Sequence, residues 1–113
     1  MTGDSDRLRE AEARMLALRI AAGAPKHEAS VEEIKRRLPE LRKLTGVDLA
    51  ASKSRPREKN WELIVGNAVG SHNLPRIKTS LVARGLAERT VDGIRVTAAG
   101  LSFLRDAGYT QGA

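Results

Sequence analysis

The stretch LPRIKTSLVARG, residues 74–85, runs directly into LAERTVDGIRVT, residues 86–97, and the change of pattern at their junction decides the fold. In the first stretch Pro75 sits in the first turn of a helix, where a missing N–H costs little. Ile77 and Leu81, with Leu74 and Val82, form an apolar face at helical spacing. Gly85 stands where a left-handed residue ends a helix. In the second stretch the period falls to two. Ala87 to Val91 and Ile94 to Thr97 flank Asp92-Gly93, a strong short signal for a hairpin, with Ile94 and Val96 on one side and Arg95 and Thr97 on the other.

Working upstream, Trp61, Ile64, Val65 and Ala68 mark a helix with Asn60 as its cap. Gly70 to Asn73 is a tight turn, so residues 60–85 read as helix, turn, helix. Residues 46–59 lose all periodicity and read as a basic loop, partly mobile. Before them, a helix over 30–45 opens on Ser30-Val-Glu-Glu33, which has capping-box spacing. Pro39 removes the bond to the Lys35 carbonyl and is expected to break that helix. A first helix spans 6–22 on Leu8, Ala11, Met15, Leu18 and Ala22, is stopped by Gly23 and Pro25, and leads into a polar loop over 26–29. Downstream, Thr97 caps a last helix over 98–107, closed by Gly108. The chain thus reads as one domain over 1–113, mainly α with a small β-hairpin. About five helices and a two-stranded wing follow the order of a winged helix-turn-helix.

The composition of the 113 residues narrows the function. No cysteine is present, which excludes disulfide scaffolds, Cys-ligated zinc and thiol chemistry, and suits a reducing cytoplasm. No apolar run approaches the ~20 residues of a membrane span, so no membrane partner is expected. Met1 to Arg9 is too charged for a signal peptide. Aromatics are limited to Trp61, Phe103 and Tyr109, too few for a base-stacking platform.

The net charge of +6 is unevenly placed. Residues 35–59 hold nine Lys/Arg against three Asp/Glu, and 72–95 hold five against two, whereas 1–34 are net acidic. Such asymmetry is the footprint of a phosphate-backbone binder. A helix of ~10–12 Å diameter fits the ~12 Å major groove of double-stranded DNA, which is the expected partner. With Ile77 and Leu81 inward, Arg76, Thr79, Ser80 and Ala83 share the outward face. Arg76 suits guanine, the two hydroxyls suit base edges, and Lys78 and Arg84 suit phosphates. Asn73, His72 and the helix N-terminus are phosphate candidates, Arg95 and Arg89 are candidate wing contacts, and Lys53, Arg55, Arg57 and Lys59 are candidate backbone contacts from the basic loop.

From Glu10 through Leu104 the chain resembles the amino-terminal winged-helix domain of Mrr-type restriction endonucleases. The resemblance is carried by Leu81-Val-Ala-Arg-Gly-Leu-Ala-Glu-Arg89, by Gly93-Ile-Arg-Val-Thr-Ala-Ala-Gly100, and by the Trp61 helix followed by Ser71-His72. It implies a DNA-targeting module that works with a nuclease domain or subunit. No nuclease domain follows Gly112, so the resemblance implies a stand-alone protein or an excised domain. A transcriptional regulator is the related reading, and a nucleoid-associated location in the cytoplasm goes with either.

No enzyme, cofactor or metal is expected. His27 and His72 are the only histidines, and no cluster offers enough metal ligands. Glu33-Ile-Lys35 mimics the Glu-x-Lys end of a nuclease motif, but that motif needs strand carboxylates and Glu33 belongs to the cap. The alternative function is a winged helix that docks a protein partner without binding DNA. A homodimer through residues 6–22 is a further expectation, since winged-helix proteins pair by terminal helices to read two half-sites.

Overall fold

The computed structural model describes residues 6–109, so the ends of the expected domain, 1–5 and 110–113, lie outside the described residues. Among the described residues, five helices and three strands follow one another: α1 (Glu10–Ala22), β1 (Glu28–Ser30), α2 (Val31–Leu41), α3 (Gly46–Leu49), α4 (Asn60–Gly66), β2 (Ala87–Arg89), β3 (Gly93–Val96) and α5 (Ala98–Asp106). A 3-10 turn at Pro25–His27 precedes β1, and a π turn at Asn67–Ser71 extends α4. The protein is therefore mainly helical with a small antiparallel sheet.

The centre is α1. Ala13, Leu16, Ala17, Leu18, Ile20, Ala21 and Ala22 are all buried, so the helix is covered on more than one side. Its alanines at 13, 17 and 21 recur every fourth residue with no exposure, a spacing that places them on one face. Neighbouring backbones approach closely there: α1 packs against α2, α4, the π turn and β3. The helix begins at Glu10 rather than at residue 6. Its apolar stripe is used inside the chain, so the apolar residues expected to face a second copy along 6–22 are largely buried.

Two further helix boundaries differ from the sequence reading. The helix opened by Ser30 does carry its cap, since the Ser30 hydroxyl accepts from the Glu33 N–H at 3.0 Å. It runs through Pro39 and ends at Leu41. The bond that Pro39 forfeits belongs to the last turn, where little helix remains to be lost. Asn60 is the first residue of α4 rather than its cap. The N–H of Lys59 donates to the Glu62 carboxylate at 2.9 Å, and the Asn60 amide donates sideways to the Val47 carbonyl at 2.8 Å.

The expected two-stranded hairpin is part of a three-stranded sheet, in the order β1-β3-β2. The stretch expected as a loop, 26–29, supplies most of the additional edge strand β1. Arg89 pairs with Ile94 and Ala87 with Val96, and the Thr90 N–H donates to the Gly93 carbonyl at 2.9 Å. The two-residue loop is therefore Val91-Asp92, one position earlier than Asp92-Gly93. Gly93 lies inside β3 opposite Ser30. Its lack of a side chain is required by space, because a Cβ there would sit 1.9 Å from the Ala29 carbonyl oxygen. β1 thus lies directly against a bare backbone.

The basic stretch 46–59 is ordered by its own hydrogen bonds. α3 opens on a reciprocal cap between Thr45 and Asp48. The following residues fold back as a narrow hairpin in which Ser52 N–H meets the Glu58 carbonyl at 2.8 Å and Asn60 N–H meets the Ala50 carbonyl at 2.9 Å. Lys35 on α2 pairs with Glu58 at 3.6 Å and fastens this hairpin to the body.

Candidate nucleic-acid interface

Residues 74–84 form no continuous helix. The amides of Ile77 and Ser80 bond three residues back, that of Arg84 four back and that of Leu86 five back. Two short polar side chains cause the irregularity by competing for the backbone. The Ser80 hydroxyl donates to the Leu74 carbonyl at 2.8 Å, an acceptor that a regular helix would offer to Lys78, and accepts from the Ala83 N–H at 3.0 Å. The Asn73 amide donates to the Val69 carbonyl at 3.1 Å, and its oxygen accepts from the Val82 N–H at 3.0 Å. Both residues have no exposed surface.

What forms after Ser80 is a single helical turn capped at both ends. Ser80 supplies the N-cap. Gly85, at φ 72, supplies the left-handed stop, with Leu86 N–H on the Leu81 carbonyl and Gly85 N–H on that of Val82, the Schellman pattern. Leu81 is the buried anchor. The expected placement of Asn73 and Ser80 against DNA is thereby corrected: burial and internal hydrogen bonds remove them from the surface.

The remaining polar residues of the segment face solvent: Arg76, Lys78, Thr79 and Arg84 are exposed, as is Arg89 on the edge strand β2. Arg76, Lys78, Arg84 and Arg89 have no carboxylate within 4.0 Å among the described residues. Arg14, Lys35, Arg37, Arg42, Arg55 and Arg95 all do. Arg84 rests its guanidinium 5.0 Å from the centre of the Phe103 ring on α5, which holds the side chain against the body while leaving its charge outward. A second group, Lys53, Arg57 and Lys59, is exposed and likewise without a carboxylate partner among the described residues. Lys53 shares with Arg7 the lining of an open cleft against Leu63 and Ile64. Arg7 escaped the sequence reading because the first helix was extended over it.

Three candidates are engaged elsewhere. Arg95 lies between Glu28 of β1 at 3.1 Å and Glu88 of β2 at 2.7 Å, so an acid–base–acid row crosses the outer face of the sheet. Glu88 first, then Glu28, hold its guanidinium above the ordinary arginine range, keeping it charged and compensated. The His72 ring nitrogen Nδ1 lies 3.0 Å from the Glu10 carboxylate, fastening the turn to α1. Arg55 lies 3.7 Å from Glu58 across its own turn. Opposite charge at these distances lowers the potential each offers to a phosphate.

Among the described residues no group of three or more His, Asp or Glu could hold a metal ion, and no helix is long and apolar enough to cross a membrane. No family model, no curated protein and no solved structure matches the chain.

Proposed function

We propose that this chain is a winged-helix module that binds duplex DNA through Arg76, Lys78, Arg84 and Arg89, with Lys53, Arg57 and Lys59 as a second contact, serving as a regulator or as the targeting part of a restriction system. The observation that carries the reading is the run of exposed, uncompensated cations over residues 76–89. Arg76, Lys78, Arg84 and Arg89 are all exposed and none has a carboxylate within 4.0 Å among the described residues, whereas Arg14, Lys35, Arg37, Arg42, Arg55 and Arg95 do. Uncompensated cations on a short stretch are what a polyanion binds, because each phosphate contact releases condensed counterions. The element order supports the winged-helix reading: a helix, a turn, a second segment that coils on Leu81, then a hairpin joined by a third strand.

Fluorescence anisotropy with a labelled duplex tests this. The four contacts of residues 76–89 alone, at a slope of about −0.9 each, predict a loss of affinity of at least roughly a hundredfold between about 50 and 200 mM salt. Absence of binding at low salt, or binding indifferent to salt, would refute the proposal and leave the protein-docking alternative.

A further inference from the structure

We infer that this domain grips the phosphate backbone of duplex DNA without reading its bases. The inference rests on the DNA-binding reading above and narrows it: this surface supplies the grip, and any sequence targeting falls to another part of such a system.

Direct readout in the major groove needs side chains held in register on a rigid face and carrying paired donors and acceptors. Residues 74–85 lack that face, because the coil is interrupted at Ser80 and only one capped turn follows. Asn73, whose amide has the geometry to read adenine, is buried and bonded to Val69 and Val82. Ser80 is buried and bonded to Leu74 and Ala83. Apart from Thr79, the polar side chains that face outward are the long cations Arg76, Lys78 and Arg84. Arg76 has a fork suited to guanine, but no hydrogen bond or ion pair to a described residue orients it, so ordering the fork on a base would cost the entropy that a positioned fork avoids. A phosphate asks for no such orientation.

The same census favours duplex over single strand. Single-strand binders need open aromatic faces on which bases stack. Trp61 is buried in the core, Phe103 lies under Arg84, and the Tyr109 ring lies under Arg19. The sheet's outer face, with two carboxylates around Arg95, repels a polyanion and turns the contact toward Arg89 and the 74–84 segment.

Selection from a randomised duplex pool, followed by anisotropy on individual duplexes and on their separated strands, tests this. The expected result is no enriched motif, affinities within about threefold across unrelated duplexes, and weaker binding to the single strands. Arg76→Ala and Lys78→Ala, both on exposed positions, each weaken all duplexes by one common factor and make the salt slope shallower by about 0.9. A converged motif, a duplex bound more than tenfold tighter through Arg76, or a preference for single strands overturns the inference. Failure to bind any nucleic acid at low salt overturns the DNA reading itself, a separate outcome.

Discussion

The Asp48 carboxylate accepts from the Leu8 N–H at 2.8 Å, the Thr45 N–H at 2.9 Å and the Arg42 guanidinium at 3.0 Å, at 1% exposure. Arg42 also reaches Glu12 and the Asp6 carbonyl, so this one pair ties the N-terminal approach, α1 and α3 together. Asp48→Ala leaves two amides and a largely buried guanidinium without their acceptor, and breaking a buried pair by removing one partner costs about 3–5 kcal/mol. We expect the lower end, since Glu12 still faces Arg42. Urea denaturation reads it, and a loss under about 1 kcal/mol would contradict the assignment. The Thr45-Gly-Val-Asp48 spacing is legible as a cap, yet the lost periodicity and cationic composition of the stretch read as a partly mobile loop. Hydrogen bonds across forty residues leave no periodic trace. Gly93 shows the opposite case, a correct feature with a different cause. The hairpin is present, but Gly93 answers to the Ala29 carbonyl lying against it rather than to a left-handed turn. Gly93→Ala therefore forces β1 off β3 and is expected to lower stability by several kcal/mol. Gly85→Ala, with open space around its Cβ position, loses only about 1–2 kcal/mol for its positive φ. Thermal melts of the two variants should keep that order.

At the scale of elements, helices whose stability comes from packing were readable and the segment that bears the candidate site was not. The 3.6-residue stripe marks which residues face the core, and Ile34, Leu38, Val65 and Leu104 are buried as their spacing implies. Residues 74–84 carry the same stripe, with Leu81 buried. What defeats the helix is which way two side chains hydrogen-bond, and a pattern of apolar positions is silent on that. Serine is common on helix surfaces, and at position 80 nothing in the sequence distinguishes an outward hydroxyl from one turned onto Leu74. The two roles predict different phenotypes. Ser80→Ala is expected to cost about 1–3 kcal/mol of stability, the price of leaving buried partners unpaired, while the folded protein keeps its affinity for duplex DNA. Thr79→Ala, one residue earlier and exposed, should change stability by no more than about 0.5 kcal/mol. A stable Ser80→Ala protein that binds DNA weakly would return the hydroxyl to the surface.

For the whole molecule, the decisive fact is that α1 lies inside. Its sequence sets Glu12, Arg14 and Arg19 beside Leu16 and Ile20, and pairing by terminal helices is what the expected dimer would use. The pattern is mixed because the helix is covered unevenly around its girth. Leu16 and Ile20 are buried at 5% and 7% exposure, whereas Arg14 reaches Glu10 along the helix and Arg19 lies 4.2 Å from the Tyr109 ring. Surface pairing and interior packing make opposite predictions for the same substitution. If Leu16 faced a second copy, Leu16→Ala would weaken association and leave a folded monomer whose unfolding midpoint no longer depends on protein concentration. As an interior residue, it leaves a cavity among helices and sheet that are already in contact, and large-to-alanine changes in such places cost about 2–5 kcal/mol. We therefore expect Leu16→Ala to lower the urea midpoint by an amount independent of protein concentration, with the sedimentation coefficient of the folded form unchanged. A shift from dimer to monomer mass at undiminished stability would put α1 back on the surface, and with it the packing on which the placement of residues 74–89 depends.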